Sequence, residues 1–267
     1  MDKLRFFSIG SGSSGNCYYF GNSTRGILID AGLSPRTIRK ELKQIGVDFS
    51  NIMGIFVTHD HQDHIKSIGT LGEKFNIPIY ATAKTHRGMD QSYGMTQKLS
   101  SSKRFLENGQ NINIGEFNIA SFPVSHDGTD NGGFFIKYRN HRILFATDLG
   151  YVTDPLFRFI QDSNIIILEA NYDLEMLKNG KYPFYLKQRV LSNTGHLGNM
   201  EAGTFLADHW HPELKHIYLC HLSNDNNHPE LAKKTVEMCM AGKGIRSGLD
   251  VDVVALKRSA TELIIFD

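Results

Sequence analysis

The chain has 267 residues, a formal net charge of +1 and 40% hydrophobic residues, the profile of a globular protein that can bury a large core. The near balance of charge excludes a general electrostatic attraction to nucleic acid or anionic membranes, so any basic binding surface must be local. No apolar run is long enough for a signal peptide or a membrane span. The three cysteines lack CxxC spacing and predict no disulfide framework, which favours the reducing cytoplasm.

The first half of the chain alternates apolar runs with glycine turns. The helix at 34–46 has the clearest signals, because Ser34 can cap it, Pro35 fits its first turn, and Ile38, Leu42 and Ile45 form one apolar stripe. The other boundaries follow from short apolar runs that end at glycine or polar residues. The elements predicted here are strands at 4–10, 17–21 and 26–32, the helix at 34–46, a strand at 52–58, a helix at 65–75 and a strand at 77–82.

The second half continues with strands separated by helices, without a repeat, a low-complexity tract or a linker. We therefore predict one domain over residues 1–267. Its pattern is typical of two packed mixed sheets with helices on the outer faces, an α/β arrangement. The elements predicted here are strands at 117–125, 133–138, 141–147, 164–170 and 216–222, helices at 199–210 and 229–241, and a terminal hairpin of 252–256 with 261–266.

Histidines and aspartates follow several of these strands directly. The sequence "HDHQDH" begins one residue after the strand at 52–58, and further candidates follow the strands that end near residues 125, 147 and 222. Loops from one edge of a sheet can converge, so we expect these side chains to lie close together. The candidate metal ligands are His59, His61, Asp63, His64, His126, Asp148 and His221.

Imidazole and carboxylate ligands suit Zn²⁺, and also Mn²⁺ or Fe. Two such ions roughly 3.5–4 Å apart can clamp the attacking and leaving oxygens of a displacement. A lone HxH would be weak evidence, because single histidines often cap helices or decorate loops. HxHxDH after one strand, followed by His, Asp and His after three more, is far more specific. The sequence predicts two divalent metal ions, with zinc expected and manganese or iron as alternatives.

This constellation resembles the metallo-β-lactamase fold superfamily over nearly the whole chain. The resemblance implies an αββα sandwich with the site at the sheet edges. His61 stands where flavodiiron proteins have glutamate, which disfavours redox chemistry. The resemblance also implies two metals and a bridge: a first metal held by His59, His61 and His126, a second held by Asp63, His64 and His221, and Asp148 between them.

Two further residues favour a nuclease. Glu169 ends a predicted strand, and His196 precedes a predicted helix. The pair is similar to the glutamate and histidine of the ribonuclease Z group that assist protonation of the leaving group. A carboxylate that holds an imidazole in one tautomer suits this role, and Asp63 would orient or deprotonate the attacking water. The alternatives are a solvated strand end for Glu169 and a helix cap for His196.

The stretches "GSGSSGNCYYF", "LEANYD", "GHLGN" and "CHLSNDNNHPELA" resemble the YycJ (WalJ) family of bacterial metallohydrolases. The resemblance implies exonuclease activity on DNA from the 5′ end. The Gly/Ser turn could donate backbone N–H groups to a phosphate, or it could simply connect two strands. Ser223, Asn226 and Asn227 could hold a phosphate or start the next helix.

The segment "LKNGKYPFYLKQR" interleaves basic and aromatic residues between Glu169 and His196. Lys181, Lys187 and Arg189 could contact phosphates, and the aromatic rings could stack on unpaired bases. An amphipathic flap or a dimer contact would have the same composition.

The sequence thus predicts a two-metal phosphodiesterase of the cytoplasm, a nuclease with DNA as its partner and no membrane association. One alternative is a small-molecule metallohydrolase that acts on a thioester, a lactone or a cyclic phosphodiester. The other is a metal-bound regulatory protein without activity. The sequence leaves the oligomeric state open.

Overall fold

The computed structural model describes residues 3–267. A short 3-10 helix, Phe49–Asn51, precedes the fourth strand. The strands are β1 (Leu4–Gly10), β2 (Cys17–Gly21), β3 (Gly26–Ile29), β4 (Ile52–Phe56), β5 (Ile79–Ala81), β6 (Lys103–Phe105), β7 (Asn111–Ile114), β8 (Phe117–Pro123), β9 (Gly132–Tyr138), β10 (His141–Ala146), β11 (Ile165–Glu169), β12 (His216–Cys220), β13 (Asp252–Ala255) and β14 (Ile264–Phe266). The helices are α1 (Pro35–Gln44), α2 (Gln62–Ile65), α3 (Ile68–Phe75), α4 (Ala83–Gln91), α5 (Asp154–Gln161), α6 (Leu174–Asn179), α7 (Phe184–Val190), α8 (Asn199–His209) and α9 (Pro229–Ala241).

The chain forms two compact units. The first contains the chain up to Glu116, together with Gly128–Gly132 and Lys257–Asp267. The second contains Phe117–Asp127 and Gly133–Leu256. Each unit has its own mixed sheet and helices, so the structure agrees with the predicted α/β class. The assignment of one domain to residues 1–267 stays a prediction.

The sheet of the first unit has the strand order β14-β1-β2-β3-β4-β5-β6. The pairs from β14 to β3 are antiparallel and those from β3 to β6 are parallel. Helix α1 starts as predicted, because the Ser34 side chain accepts from the Thr37 N–H and Pro35 occupies the first turn. Ile38 and Leu42 are fully buried in the core with apolar residues of the sheet, and each such burial stabilises the fold by about 1.5–3 kcal/mol.

The sheet of the second unit has the order β13-β12-β11-β10-β9-β8. Strands β10 to β13 are parallel. Apolar residues of β10, β11 and β12, with Val253 of β13, are buried with apolar residues of α5, α8 and α9. In a parallel sheet the carboxyl ends of the strands lie at one edge, which is where α/β proteins place their ligands. This topology positions the residues that follow β10, β11 and β12.

The predicted terminal hairpin is wrong, although both of its strands exist. β14 pairs antiparallel with β1, and β13 pairs parallel with β12. The β13 ladder continues in the bond from the Leu256 N–H to the Leu219 carbonyl. β13 follows the long helix α9, and such a helix is the usual crossover to a parallel neighbour.

Other differences concern short helices. The predicted helix at 65–75 is divided into α2 and α3, because the Ser67 N–H leaves the helical pattern and bonds to the Ala31 carbonyl. Helices α4 to α7 have six to nine residues each and are too short for apolar periodicity to predict them from the sequence. Across residues 3–267, every helix is too short or too polar to cross a bilayer.

Candidate functional site

The strand bounds confirm that the candidate ligands follow strand ends. β4 ends at Phe56, β8 at Pro123, β10 at Ala146 and β12 at Cys220. The candidates form one group in each unit. We name the group of the first unit the histidine turn, and it consists of His59, His61, Asp63 and His64. We name the group of the second unit the strand-end cluster, and it consists of His126, Asp148, Glu169, His196 and His221.

In the histidine turn, three imidazoles lie close together. The ring centroid of His59 is 4.6 Å from that of His61 and 4.1 Å from that of His64. His59 and His64 are buried, and the Nε2 atom of His64 is 3.6 Å from the Asp63 carboxylate. Helix α2 begins directly after His61, which places Asp63 and His64 in its first turn. The turn therefore gathers four ligand-type side chains from six consecutive residues.

A buried carboxylate that the sequence analysis missed fixes these imidazoles. Asp30 accepts from His64 Nδ1 at 2.7 Å and from the Thr58 N–H and hydroxyl, both at 2.8 Å. Because the Thr58 hydroxyl donates its proton to Asp30, its oxygen can accept from His59 Nδ1, which lies at 3.0 Å. Nε2 is then the nitrogen through which His59 and His64 would bind a metal ion, as expected when a histidine is held through its other nitrogen.

Burial and hydrogen bonding act on the pKa of Asp30 in opposite directions. Burial raises the pKa of Asp30, and this rise is opposed by the charge and hydrogen bond of His64 and by the two bonds from Thr58.

Close by, Gly32 allows the main chain after β3 to approach the histidine turn. A β-carbon at Gly32 would lie 1.6 Å from the Asp63 carbonyl oxygen. No residue other than glycine fits this position without a shift of the backbone.

The Gly/Ser turn contacts the histidine turn through Asn16, which the sequence analysis also missed. The Asn16 N–H donates to the Asp63 carbonyl at 2.8 Å, and the Asn16 side-chain amide is 2.9 Å from His64 Nε2 and 3.3 Å from the Asp63 carboxylate. The Gly12 N–H donates to the Asn16 side chain, and the Gly15 N–H donates to the Gly12 carbonyl. These N–H groups thus bind within the protein, and the turn supports two candidate ligands.

Glu169 is the centre of the strand-end cluster. Its Oε1 atom accepts from His196 Nδ1 at 2.8 Å and from His221 Nδ1 at 2.9 Å. Its Oε2 atom accepts from the backbone N–H groups of Leu149 and Leu197 at 2.9 and 3.0 Å. Burial alone would raise the pKa of Glu169, but the charge and hydrogen bond of His196 and the hydrogen bond of His221 lower it below its ordinary value. Glu169 is therefore an ionised acceptor with four donors.

Asp148 lies among the histidines of the strand-end cluster. One of its oxygens is 3.2 Å from His221 Nδ1 and 3.8 Å from His126 Nε2, and the other accepts from the Thr147 hydroxyl at 2.8 Å. His126 Nδ1 donates to the Gly195 carbonyl at 2.9 Å, so His126 would bind a metal ion through Nε2.

The donor set of the strand-end cluster fits a divalent metal ion. The nearest ligand atoms of Asp148, Glu169, His196 and His221 all lie within 4.8 Å of one another.

Three buried residues in or beside the two groups also have left-handed backbone: Asp30 (φ 59°), Asp148 (φ 53°) and His221 (φ 53°). Such strain costs about 1–3 kcal/mol per residue and is concentrated at functional sites.

The residues proposed near His221 are buried. Ser223, Asn226 and Asn227 are 8%, 1% and 5% exposed. The Asn227 amide donates to the carbonyls of Ala170 and Asn171 at 2.9 and 3.0 Å. These bonds connect the segments that follow β11 and β12, and the burial leaves the three side chains little surface for a substrate.

The segment 177–189, which we name the basic segment, forms the end of α6, the turn after it and most of α7. Arg189 binds Asp127 through two bonds of 2.6 and 3.1 Å, and Lys187 donates to the Lys178 carbonyl at 2.6 Å. Lys181 is exposed. Arg189 thus neutralises the carboxylate next to His126, an arrangement with no signal in the sequence, whereas the lysines lie at the surface of the segment.

The histidines outside the motifs bond to main-chain carbonyls or lie at the starts of strands. His86 donates to the Arg104 carbonyl, His209 to that of Phe205 and His211 to that of Ile160. His141 and His216 lie at the starts of β10 and β12, the opposite ends of those strands from Asp148 and His221.

Comparison with known proteins gives consistent results. A family model described as a β-lactamase superfamily domain matches residues 25–221. Exodeoxyribonuclease YycJ of Bacillus anthracis is 38% identical over 246 residues, which cover 92% of each chain. Exodeoxyribonuclease WalJ of Streptococcus pneumoniae serotype 2 (strain D39 / NCTC 7466) is 35% identical over 250 residues, which cover 94% of this chain and 93% of that protein.

Solved structures show the same fold at low sequence identity. The metallo-β-lactamase fold protein YhfI from Bacillus subtilis matches with a TM-score of 0.73 at 18% identity, covering 99% of this chain and all of that one. Unliganded yeast PDE1 matches with a TM-score of 0.74 at 10% identity, covering both chains completely. These matches confirm the predicted metallo-β-lactamase fold.

Proposed function

Because the chain belongs to the β-lactamase superfamily, and within it to the family of the exodeoxyribonucleases YycJ and WalJ, we propose that it is an exonuclease that hydrolyses DNA from the 5′ end in the cytoplasm. The chain is an enzyme of the hydrolase class. Two relatives of nearly the same length are named exodeoxyribonucleases, which favours a nuclease over a small-molecule hydrolase or a regulatory protein.

We propose that the chain binds two divalent ions, with zinc expected and manganese or iron as alternatives. The support is the donor chemistry, because the imidazoles of His59, His64, His126 and His221 are all held through Nδ1. Divalent ions, when bound, neutralise charge on phosphate oxygens and make water a stronger nucleophile at neutral pH. The proposed ligands are His59, His61, Asp63, His64, His126, Asp148 and His221.

The side chains of the protein supply the proton transfers. Asp63 orients the attacking water or accepts its proton. His196 donates a proton from Nε2 to the departing oxygen, since its Nδ1 donates to Glu169. Glu169 stabilises the protonated imidazole before transfer and holds the ring in one orientation. The observation that carries the proposal is this buried carboxylate, which accepts from His196 and His221 with the same oxygen.

DNA contacts are proposed for Lys181, Lys187 and Arg189, with Ser223, Asn226 and Asn227 near His221. The exposed lysine Lys181 is the strongest of these candidates. Arg189 could contribute to phosphate binding only in competition with Asp127. The buried residues Ser223, Asn226 and Asn227 would act mainly by keeping the segments after β11 and β12 in place.

The experiment that tests the function uses end-labelled single- and double-stranded DNA and RNA with defined 5′ ends, incubated with the purified protein and Zn²⁺, Mn²⁺ or Fe²⁺. We expect mononucleotide release from the 5′ end of DNA. Hydrolysis of bis-p-nitrophenyl phosphate without any cleavage of polynucleotide would instead favour the small-molecule hydrolase. Metal-loaded protein that cleaves neither would leave the regulatory alternative.

A further inference from the structure

Helices α6 and α7 are held by a small apolar cluster of their own. Tyr172, Leu177 and Val190 are buried together, and Tyr182 packs against them. Asp173 caps α6 by accepting from the Met176 N–H at 2.9 Å. Because this cluster fixes both helices, the side chains that project from them have defined positions.

A cavity of about 300 Å³ opens between the two helices, at the lower end of the ~300–1,000 Å³ range of small-molecule sites. The lining combines apolar groups, two cations and one amide, without a carboxylate. Glu175 is the nearest acid on α6 and is paired with Lys178 at 3.1 Å. The cavity is lined by Leu177, Lys178, Phe184, Lys187, Gln188 and Leu191.

Phe184 is the unusual member of this lining, because it is 77% exposed. The next residue, Tyr185, is 73% exposed. Two adjacent aromatic rings at the surface are costly in water unless a partner covers them. Phe184 lines the cavity together with two lysines, and this combination of a flat apolar ring with positive charge is what single-stranded nucleic acid recognises.

The cavity is also connected to the strand-end cluster through the main chain. The His196 N–H donates to the carbonyl of Val190, the last residue of α7, at 3.0 Å. A ligand that binds α7 therefore contacts a helix whose last residue is hydrogen-bonded to His196, the proposed proton donor.

We propose that this cavity binds one unpaired base of the DNA strand, with the base stacked on Phe184 and its neighbouring phosphates beside Lys178 and Lys187. This inference rests on the proposed exonuclease function and adds how the enzyme holds the strand that it degrades. The amide of Gln188 can bond to polar edges of any base, so the cavity accepts a base without selecting its identity. Phe184 is a binding residue in this proposal and takes no part in proton transfer.

The experiment moves a single abasic nucleotide along a 5′-labelled single-stranded DNA and measures KM and kcat at each position. For the unmodified enzyme, we expect KM to rise at the one position that would occupy the cavity. Stacking of one base on an aromatic side chain contributes about 5- to 150-fold in affinity. Phe184→Ala should raise KM on intact DNA by a similar factor and should no longer respond to the abasic position.

Two controls separate stacking from other effects. Phe184→Trp keeps a stacking surface and should keep the abasic effect. Phe105→Ala removes another phenylalanine, 63% exposed on β6, and should behave like the unmodified enzyme. Metal content should be the same in all variants.

Two outcomes would overturn the proposal: an abasic effect that persists in Phe184→Ala, or no effect at any position in an enzyme that cleaves DNA. The second outcome removes only the cavity and leaves the exonuclease intact. If the unmodified enzyme neither binds nor cleaves DNA, both proposals fail together.

Discussion

Asp30 in the first unit and Glu169 in the second are both fully buried carboxylates, and each accepts from the Nδ1 atom of a candidate ligand. Asp30 accepts a hydrogen bond from one imidazole, and it also accepts from the N–H and the hydroxyl of Thr58. Glu169 accepts hydrogen bonds from two imidazoles and two backbone N–H groups. The pKa of Asp30 is raised, mainly by burial, whereas that of Glu169 is lowered because its imidazole partners outweigh burial.

The difference indicates different tasks. Asp30 contacts the His64 ring directly and the His59 ring through the Thr58 hydroxyl, so this carboxylate orients candidate ligands. Glu169 also holds His196, which is 17% exposed in its side chain and can reach a substrate. A carboxylate with one imidazole facing a metal and another facing the substrate couples ligand orientation to proton transfer.

The largest effect is expected for Asp148, which the family pattern places between the two metals. Asp148→Ala should lower the metal content of the protein and reduce hydrolysis of DNA to background, because a carboxylate among three histidines is lost. Elemental analysis of the purified variant measures the metal. His209→Ala, whose Nδ1 bonds within α8, should change neither quantity. Full metal occupancy in Asp148→Ala would contradict the two-metal proposal.

His196→Ala tests the second task of the strand-end cluster. Loss of a general acid reduces turnover by about 10²–10⁴-fold, and the reduction should be smaller for p-nitrophenolate, which leaves without protonation. Metal content should remain normal. A fall in metal content would make His196 a ligand instead, since its ring lies within the donor set of Asp148, Glu169 and His221. An equal reduction for good and poor leaving groups would exclude the acid role.

The comparison of the two carboxylates is tested directly by Asp30→Asn and Glu169→Gln. Each should weaken metal affinity by about 10–100-fold, the usual effect of losing a partner behind a histidine ligand. Only Glu169→Gln should also make the rate more sensitive to the leaving group. Chelator competition measures the affinity, and a series of aryl phosphodiesters measures the sensitivity. Identical profiles for the two variants would show that the two carboxylates have one common task.

The sequence located the candidate residues at strand ends better than the residues that hold them in place. His59, His126, Asp148 and His221 follow strands whose apolar runs are long enough to recognise. Asp30 also follows a strand, in "ILIDAG", but a single aspartate at a strand end is common in turns. Its left-handed backbone and its bonds to Thr58 exist only in the folded chain. A rule that treated every acidic residue after a strand as a candidate would have found it.

Most strands and the longer helices were predictable for the same reason, since their apolar periodicity is sustained. The strand pairing was not predictable. The bounds of β13 and β14 are correct within a few residues, but β13 pairs with β12 across α9 and β14 pairs with β1, at the other end of the chain. α6 and α7 are short and are separated by Gly180 and Pro183, so their pattern resembled a loop. Tertiary packing on Tyr172 stabilises them, and local propensity carries no information about such a contact.

The smallest effect concerns Glu73 of α3, a carboxylate of the first unit with a purely structural role. It accepts from the hydroxyls of Ser100 and Ser102 at 2.7 and 2.6 Å and from the Ser100 N–H at 2.9 Å. The side-chain bonds from Ser100 and Ser102 hold the pKa of Glu73 well below its ordinary value. Because folding favours the ionised form, this stabilisation is present above the unfolded-state pKa of about 4.3 and is lost as the pH falls through the lower folded-state value.

Glu73→Gln should therefore lower the free energy of unfolding at pH 7 by about 1 kcal/mol. The effect is small because a partly exposed, hydrogen-bonded carboxylate contributes less to stability than a buried one. The difference from the unmodified protein should shrink as the pH falls below about 4. Urea denaturation at pH 7 and pH 3 measures the difference in the free energy of unfolding. Excess chelator removes any contribution from metal loss. Glu262→Gln, at an exposed position of the same unit, should have no effect. A difference that grows at acidic pH would contradict the direction of the Glu73 pKa, because only a carboxyl with a raised pKa stabilises the fold as it becomes protonated.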